Sequence, residues 1–166
     1  MMEKNDILFG TIEDLTVEGE GVAKVDGMPF FVKDTVIGDE VKFVITKLKK
    51  NYGYGKALEI VTPSKDRVDA VCEHFKRCGG CTFQPMKYEA ELRFKEKKVY
   101  NNLLRIGEVP AEILDKVMEP ILGCEKEYHY RNKAQFPFGT DRDGKPICGF
   151  FARRSHDIIP STECAL

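Results

Sequence analysis

The amino-terminal part of the chain alternates short apolar runs with turn residues, a pattern that predicts β-strands. The predicted strands are residues 7–12, 22–25, 28–32, 41–48 and 56–61, with residues 51–55 between the last two. Asp26-Gly27 is a strong two-residue hairpin signal between the second and third strands. Five short strands in this space fit a small OB-like barrel, a shape that commonly offers one face to oligonucleotides.

A single long helix is expected after this barrel. Pro85 is tolerated in a first turn, Gly107 can supply a left-handed cap, and Pro110 prevents the helix from continuing. Between these limits an apolar stripe recurs at helical spacing, formed by Tyr88, Leu92, Val99, Leu103 and Ile106. We expect this stripe to pack against the rest of the protein.

The remaining residues return to strand-like runs. These runs are residues 117–122, 130–138, 147–151 and 156–159, with a hairpin turn at 141–144. Residues 63–66, Pro-Ser-Lys-Asp, are typical of a linker. The sequence therefore predicts a mainly β protein with one long helix, in which an OB-like five-stranded barrel (residues 1–64) precedes an α+β domain (residues 65–166).

Four of the six cysteines have the spacing of a metal centre. Cys72, Cys78 and Cys81 follow the order Cys-x5-Cys-Gly-Gly-Cys, and Cys164 lies near the end of the chain. The two glycines let the backbone fold tightly around a bulky group and turn amides toward its sulfurs. This spacing favours an iron–sulfur centre, because structural zinc usually takes two short hooks of ligands. Zinc remains the alternative.

The net charge of −1 hides a strong asymmetry along the chain. Residues 1–40 hold three lysines and ten carboxylates, whereas residues 41–56 hold five lysines and no acid. Aromatic rings are interleaved with these lysines, a mixture that suits a polyanion with exposed bases. The candidate RNA-binding residues here are Lys47, Lys49, Lys50, Tyr52 and Tyr54. The alternative is a solvated hairpin edge, which lysine often protects against aggregation.

A second basic and aromatic block lies between His129 and His156. Its candidate RNA-binding residues are Arg131, Lys133, Phe150, Arg153, Arg154 and His156. Two such blocks beside a metal-type cysteine cluster favour nucleic acid as the partner. RNA is favoured over duplex DNA, because no recognition helix is evident and exposed bases need stacking platforms.

Several motifs occur together in this chain. They are Gly-Glu-Gly-Val-Ala at 19–23, Phe-Phe-Val at 30–32, Gly38-Asp39, Pro63-Ser64, the cysteine run 72–81, Tyr-Arg-Asn-Lys at 130–133, Gly-Phe-Phe at 149–151 and Ser-His-Asp-Ile at 155–158. The set resembles the RNA (uracil-5-)methyltransferases of the RumA type, whose members carry an amino-terminal TRAM domain. The resemblance implies that Cys72, Cys78, Cys81 and Cys164 hold a [4Fe–4S] cluster. It also implies RNA as the partner, with 23S rRNA favoured and tRNA as the alternative.

The resemblance implies a chemistry for the whole enzyme. A thiolate adds to uracil C6, C5 then takes the methyl group of S-adenosylmethionine, and a base removes the C5 proton. This chain shows no Gly-rich turn between a strand and a helix that would mark the domain for that cofactor. We therefore expect an amino-terminal portion of the enzyme without its methyltransferase domain. Such a portion has no catalytic or S-adenosylmethionine-binding residue and is inactive alone.

Two functions from other classes stay open. One is a stand-alone iron–sulfur RNA-binding module without catalysis, and the other is a small electron-transfer protein, although ferredoxins use tighter, repeated cysteine spacing. No apolar stretch reaches the length of a membrane span, and the first residues lack the basic and apolar regions of a secretory signal. We expect a cytoplasmic monomer that binds RNA and no membrane.

Overall fold

The computed structural model describes residues 2–161 and 163–166. Its elements in chain order are β1 (Ile7–Leu15), β2 (Gly21–Val25), β3 (Met28–Val32), β4 (Glu40–Leu48), β5 (Gly53–Thr62), α1 (Tyr88–Arg105), α2 (Ala111–Val117), β6 (Phe138–Thr140), β7 (Pro146–Phe151) and β8 (Ile158–Pro160). Within the described residues, neither helix combines the length and apolarity that crossing a membrane requires.

The first five strands close into a barrel in the order β1-β2-β3-β5-β4, and β4 pairs back onto β1. Neighbouring strands are antiparallel except β3 and β5, which run parallel. Asp26 and Gly27 join β2 to β3 with φ angles of 49° and 78°, the positive values that a tight type I′ hairpin requires. The predicted mainly β fold with a five-stranded barrel is confirmed.

Strand β5 begins earlier than predicted, because residues 53–55 belong to it and do not separate two strands. A Cβ atom on Gly53 would lie 2.4 Å from the Phe30 ring, and one on Gly55 would lie 2.5 Å from the Phe43 ring. The two glycines therefore leave room for core rings on the inner face of the barrel. Tyr54 lies between them and is carried on the outer face.

Helix α1 packs through a different face than the predicted stripe. Its buried residues are Ala90 and Phe94, which join the core of the barrel. Three residues of the predicted stripe are instead exposed, by 51%, 39% and 78% of their surface: Val99, Leu103 and Ile106. The packing prediction is wrong for these three, because only the first half of α1 contributes to the buried core.

The strand predicted at residues 117–122 is wrong, and a short helix that was not predicted ends where that strand was expected to begin. The chain forms α2 up to Val117, and residues 118–122 belong to no strand. Pro120 within this run lacks the backbone donor that a strand ladder needs. The left-handed residue after α1 is Glu108 (φ 53°) and not Gly107 as predicted, and the Gly107 amide donates to Asn102 O in the last turn (3.0 Å).

The carboxyl-terminal part forms a small sheet in the order β6-β7-β8. The predicted turn at 141–144 joins β6 to β7, with Asp141 Oδ1 accepting hydrogen bonds from the Asp143 and Lys145 amides. The predicted strand at 130–138 is wrong except for Phe138, because residues 130–136 are exposed and bury no face that would hold a strand. The predicted strand at 156–159 is observed as β8, at Ile158–Pro160.

The segment after the barrel is fixed to it by the buried carboxylate of Asp39. This carboxylate accepts hydrogen bonds from the Val36 amide (2.6 Å) and the Ser64 amide (2.9 Å). Arg67 adds a two-pronged ion pair, with Nε 2.9 Å from Oδ1 and Nη2 2.5 Å from Oδ2. Burial alone would raise the pKa of Asp39, but Arg67 and the two amides together hold that pKa below its ordinary value. Polar contacts therefore cross the domain boundary predicted at residue 64.

Candidate nucleic-acid interface and thiol cavity

A basic groove lies on the outer face of β4 and β5. Its walls also include residues from β3, the linker, the cysteine loop and the turn after β7. Six basic side chains line it: Lys33, Lys47, Lys56, Arg67, Lys76 and Arg154. Three acidic side chains line it as well: Glu20, Asp34 and Glu59. Cations therefore outnumber carboxylates around the groove by two to one.

Ion pairing leaves several of these cations available. The Glu20 carboxylate is shared by Lys33 (3.9 Å) and Arg154 (3.5 Å) at the edge of the groove. Three other lining residues make no ion pair with any residue that the structure describes: Lys47, Lys56 and Lys76. Unpaired ammonium groups in a groove are suited to phosphate contacts.

Three aromatic rings form a cluster beside these cations. Phe31 and Tyr54 line the groove and are register partners in the parallel β3–β5 pair. Tyr52 completes the cluster, with ring centroids 5.7 Å from Phe31 and 5.8 Å from Tyr54. Lys49 and Lys50 are exposed in the loop just before Tyr52. Of the five residues predicted in this block, Lys47 and Tyr54 line the groove and Tyr52 packs against Tyr54.

The RNA-binding residues predicted in the second block lie at different places in the structure. Arg154 joins the groove, whereas Arg131 and Phe150 line a separate cavity around the cysteines. Lys133 is exposed in an irregular segment. The His156 ring lies edge-on to Phe151, with centroids 5.4 Å apart.

Arg153 is used inside the protein. Its Nε donates to Cys78 O (3.1 Å), and its Nη2 donates to Phe75 O (3.2 Å) and Cys81 O (3.3 Å). Its Nη1 pairs with the Asp34 carboxylate at 2.7 Å. Because these donors are engaged, the geometry gives Arg153 a supporting role for the cysteine loop and leaves Arg154 as the exposed cation.

The four cysteines predicted as ligands line one cavity. Cys72, Cys78 and Cys81 come from the loop before α1, and Cys164 reaches the cavity from the end of the chain. An isolated backbone bridge joins Cys78 to Ala152, and the His129 amide donates to Ala165 O at 2.9 Å. These contacts bring distant segments to the same place.

The cavity also contains a polar side chain that the sequence reasoning missed. Gln84 accepts a hydrogen bond from the Cys72 amide through Oε1 (3.0 Å). Burial raises the pKa of the Cys81 thiol above its ordinary value, and the neighbouring Cys78, Cys164 and Cys72 sulfurs add to this rise. The effect of the other three thiols on the pKa of Cys81 follows from the short distances among the four cysteines.

The sulfur atoms surround the cavity without converging on one point. Among the described residues, no three His, Cys, Asp or Glu side chains are placed to hold a single metal ion. The Gly80 amide faces Cys78 Sγ at 3.4 Å, which is the amide-to-sulfur arrangement that the glycine pair predicts. The donor set is thus four thiols around a space, with an amide directed at one of them.

Some groove residues were missed because they are distant in sequence. Lys33, Arg67 and Lys76 join the groove only after folding. Phe31 could have been recognised from the alternation of β3, which places it on the face opposite to the buried Phe30.

Residues 11–58 match the family described as the TRAM domain. The barrel that contains these residues is similar to a TRAM domain, and we refer to it as the TRAM domain. The basic groove therefore lies on the β4–β5 face of the TRAM domain and extends to the cysteine loop.

The chain is also similar to proteins named as RNA methyltransferases. It is 45% identical over 165 residues to an uncharacterized RNA methyltransferase of Halalkalibacterium halodurans. It is 40% identical over 165 residues to an uncharacterized RNA methyltransferase of Staphylococcus epidermidis. Each match covers 99% of this chain and 35% of the relative, so the chain spans about a third of the length of these relatives. The predicted resemblance to TRAM-containing RNA methyltransferases is confirmed.

One solved structure is similar across the TRAM domain and the region that follows it. This is the Pyrococcus abyssi tRNA (uracil-54, C5)-methyltransferase in complex with S-adenosyl-L-homocysteine. The TM-score is 0.59 at 25% sequence identity, and the match covers 95% of this chain and 32% of that protein.

Proposed function

We propose that this chain is the RNA-binding and [4Fe–4S]-holding part of an S-adenosylmethionine-dependent RNA (uracil-C5-)methyltransferase. The observation that carries the proposal is the likeness of nearly the whole chain to a uracil-C5 methyltransferase, together with 45% identity to a named RNA methyltransferase. The S-adenosyl-L-homocysteine in that solved complex supports S-adenosylmethionine as the methyl donor. We propose 23S rRNA as the first candidate substrate.

In this proposal the chain holds the RNA while the rest of the enzyme performs methyl transfer. Lys47, Lys56 and Lys76 contact phosphates along the groove. The rings of Tyr52 and Tyr54 offer faces on which unpaired bases stack. An enzyme that modifies a base must extrude it from its stack, and a grip on neighbouring nucleotides lowers the cost of doing so.

The residues around the thiol cavity fit an iron–sulfur cluster. Cys72, Cys78, Cys81 and Cys164 would be its four thiolate ligands, and all four line the same cavity. Four thiolates would leave the cluster no open position, so the cluster would serve to fasten the end of the chain to the cysteine loop. The Gly80 amide, directed at Cys78 Sγ from 3.4 Å, is a donor of the kind that the sulfurs of such a cluster would meet.

Salt-dependent RNA binding tests the groove. We expect the chain to bind a uridine-containing single strand and to lose affinity steeply as salt rises. Replacing Lys47, Lys56 and Lys76 by Gln should reduce the slope of log K against log salt by about two, since each phosphate contact to a single strand contributes about 0.7. Lys116→Gln, an exposed lysine on α2 outside the groove, is the matched control. Equal slopes for the triple variant and the wild type would remove the groove from the proposal.

A chimaera tests the enzymatic part of the proposal. This chain would replace the matching third of the Halalkalibacterium halodurans relative, and nucleoside mass spectrometry would follow the RNA of cells that lack 5-methyluridine. We expect 5-methyluridine to appear. A folded chimaera that binds RNA but methylates another position, or none, would contradict the assignment to uracil C5.

Transfer RNA is the second candidate substrate, favoured by the solved protein that is named for tRNA uracil-54. The same chimaera distinguishes the two, because rRNA and tRNA can be separated before digestion. We expect the new 5-methyluridine in the 23S fraction. Its confinement to the tRNA fraction would transfer the proposal to tRNA.

A further inference from the structure

Gln84 occupies an unusual position beside the thiol cavity. The residue is buried, with 9% of its surface exposed, and it lines the cavity together with the four cysteines. It lies three residues after Cys81, and its Oε1 accepts the Cys72 amide proton at 3.0 Å. One side chain therefore connects the first and third cysteines of the loop.

The other end of this amide has no partner. Because Oε1 is the acceptor for Cys72, the Nε2 group must act as a donor elsewhere. Nε2 is buried and has no hydrogen-bond partner among the described residues. A buried donor that stays unpaired costs about 1–3 kcal/mol, so such groups in folded proteins generally meet a bound group or water.

The surroundings indicate which acceptor this donor would meet. The cavity that Gln84 lines is surrounded by the four cysteines, by apolar residues that include Phe75, Phe150 and Ile159, and by the polar residues His74, Arg131 and Ser161. None of these polar side chains accepts a hydrogen bond from Nε2. Sulfur atoms of thiolates or sulfides are weak but usable acceptors, and negative charge on them strengthens the bond.

We infer that Gln84 is a positioning residue whose Nε2 donates an N–H···S hydrogen bond to the sulfur-rich group held by the four cysteines. This inference rests on the proposed function, since it takes that group to be an iron–sulfur cluster. The Gly80 amide, 3.4 Å from Cys78 Sγ, supplies a second donor from the same loop. Donors of this kind stabilise the more reduced, more negative state of a cluster and so raise its reduction potential.

Two substitutions test the donor role and the acceptor role of the Gln84 side chain independently. Gln84→Glu keeps an oxygen for the Cys72 amide and replaces the donor by a carboxylate oxygen. Gln84→Met keeps a similar volume and removes both polar ends. Gln135→Met is the matched control, because Gln135 is exposed and does not line the cavity.

Each variant is reconstituted anaerobically with ferrous iron and sulfide. The measurements are the iron and sulfide content, the reduction potential, the loss of iron to a chelator and the melting temperature of the metal-free chain. We expect both Gln84 variants to have lower reduction potentials and to lose iron about tenfold faster or more, as for other residues that support metal ligands. Gln135→Met should match the wild type in every measurement.

The outcomes distinguish the role of Gln84 from the function itself. Wild-type behaviour of Gln84→Glu with iron loss in Gln84→Met would mean that only the bond to Cys72 matters, and it would overturn the inference. Wild-type potentials and iron retention in both variants would overturn it as well. A wild-type chain that takes up no iron and sulfide would overturn the proposed cluster, and this inference with it.

Discussion

Asp39 shows how one buried carboxylate joins the TRAM barrel to the segment that follows it. Its two oxygens accept hydrogen bonds from the backbone on both sides of the junction and from Arg67. Removing one partner of such a buried pair leaves the other charge uncompensated, which costs far more than losing an exposed pair.

We therefore expect Asp39→Asn to lower the free energy of unfolding by about 3–5 kcal/mol. Asp66→Asn is the control, because Asp66 pairs with the exposed side chain of Arg93, and its loss should cost about 1 kcal/mol or less. Urea unfolding of both variants measures the difference. Equal destabilisation by the two substitutions would contradict the central role of Asp39.

The pH dependence of the free energy of unfolding should include a contribution from the Asp39 carboxylate. The folded pKa of Asp39 lies below the unfolded value, so its contribution is complete above the unfolded pKa of about 3.9 and is lost as pH falls through the lower folded pKa. Urea unfolding between pH 7 and pH 2 should show a shallower acid loss for Asp39→Asn than for the wild type. Parallel curves would exclude Asp39 as a source of the acid loss.

The adjacent arginines of the turn after β7 should behave differently. Arg153→Lys keeps the charge but loses the fork that contacts three carbonyls of the cysteine loop, so it should reduce stability and leave the salt slope of RNA binding unchanged. Arg154→Gln should reduce that slope by about one with little effect on stability. Thermal unfolding and RNA titration measure the two effects. A smaller salt slope for Arg153→Lys, together with reduced stability for Arg154→Gln, would mean that Arg153 is the residue that contacts RNA.

At the scale of the element, strand β5 explains why the aromatic cluster lies on the outer face of the TRAM domain. The glycines at 53 and 55 face the core, where Phe30 and Phe43 fill the space that Cβ atoms would take. The alternation of the strand then places Tyr54 outside, next to Phe31. Packing in the core therefore requires the glycines on the inner face of β5, and Tyr54 on the outer face is available for binding.

Replacing the Tyr54 ring should weaken RNA binding at every salt concentration. We expect Tyr54→Leu to cost about 1–3 kcal/mol of binding free energy for a single-stranded RNA, because a stacking face is lost while no charge changes. Tyr54→Phe keeps the ring and is the control. An equal loss in Tyr54→Phe would assign the effect to the hydroxyl group and not to stacking.

At the scale of the whole molecule, the chain folds back so that its last residues meet the loop before α1. Cys164 lines the same cavity as Cys72, Cys78 and Cys81, although more than eighty residues separate it from Cys81. Under the proposed function, a ligand at Cys164 would close this long loop and so reduce the entropy of the unfolded chain as well as complete the site.

Cys164→Ser should therefore lose iron and stability together. Iron and sulfide analysis with thermal unfolding under anaerobic conditions measures both. Cys148→Ser is the control, because Cys148 lies in β7 and does not line the cavity. Full iron content in Cys164→Ser would mean that the fourth ligand is another residue.

The sequence alone determined the elements whose determinants are local. Alternating apolar residues specify the strands of the TRAM barrel, and Asp26-Gly27 specifies its hairpin, because the backbone angles that this turn needs are available to few residues. Cysteine spacing likewise predicted that four cysteines belong together, and they do line one cavity, since three of the four lie within a short loop. The tertiary structure decided what depends on neighbours distant in the chain. It buries Ala90 and Phe94 in place of the stripe at Val99–Ile106, because burial of a helical face depends on where its partner surface ends. The tertiary structure also gives the adjacent Arg153 and Arg154 different roles, which the sequence could not distinguish. Only Arg153 faces the carbonyls of the cysteine loop.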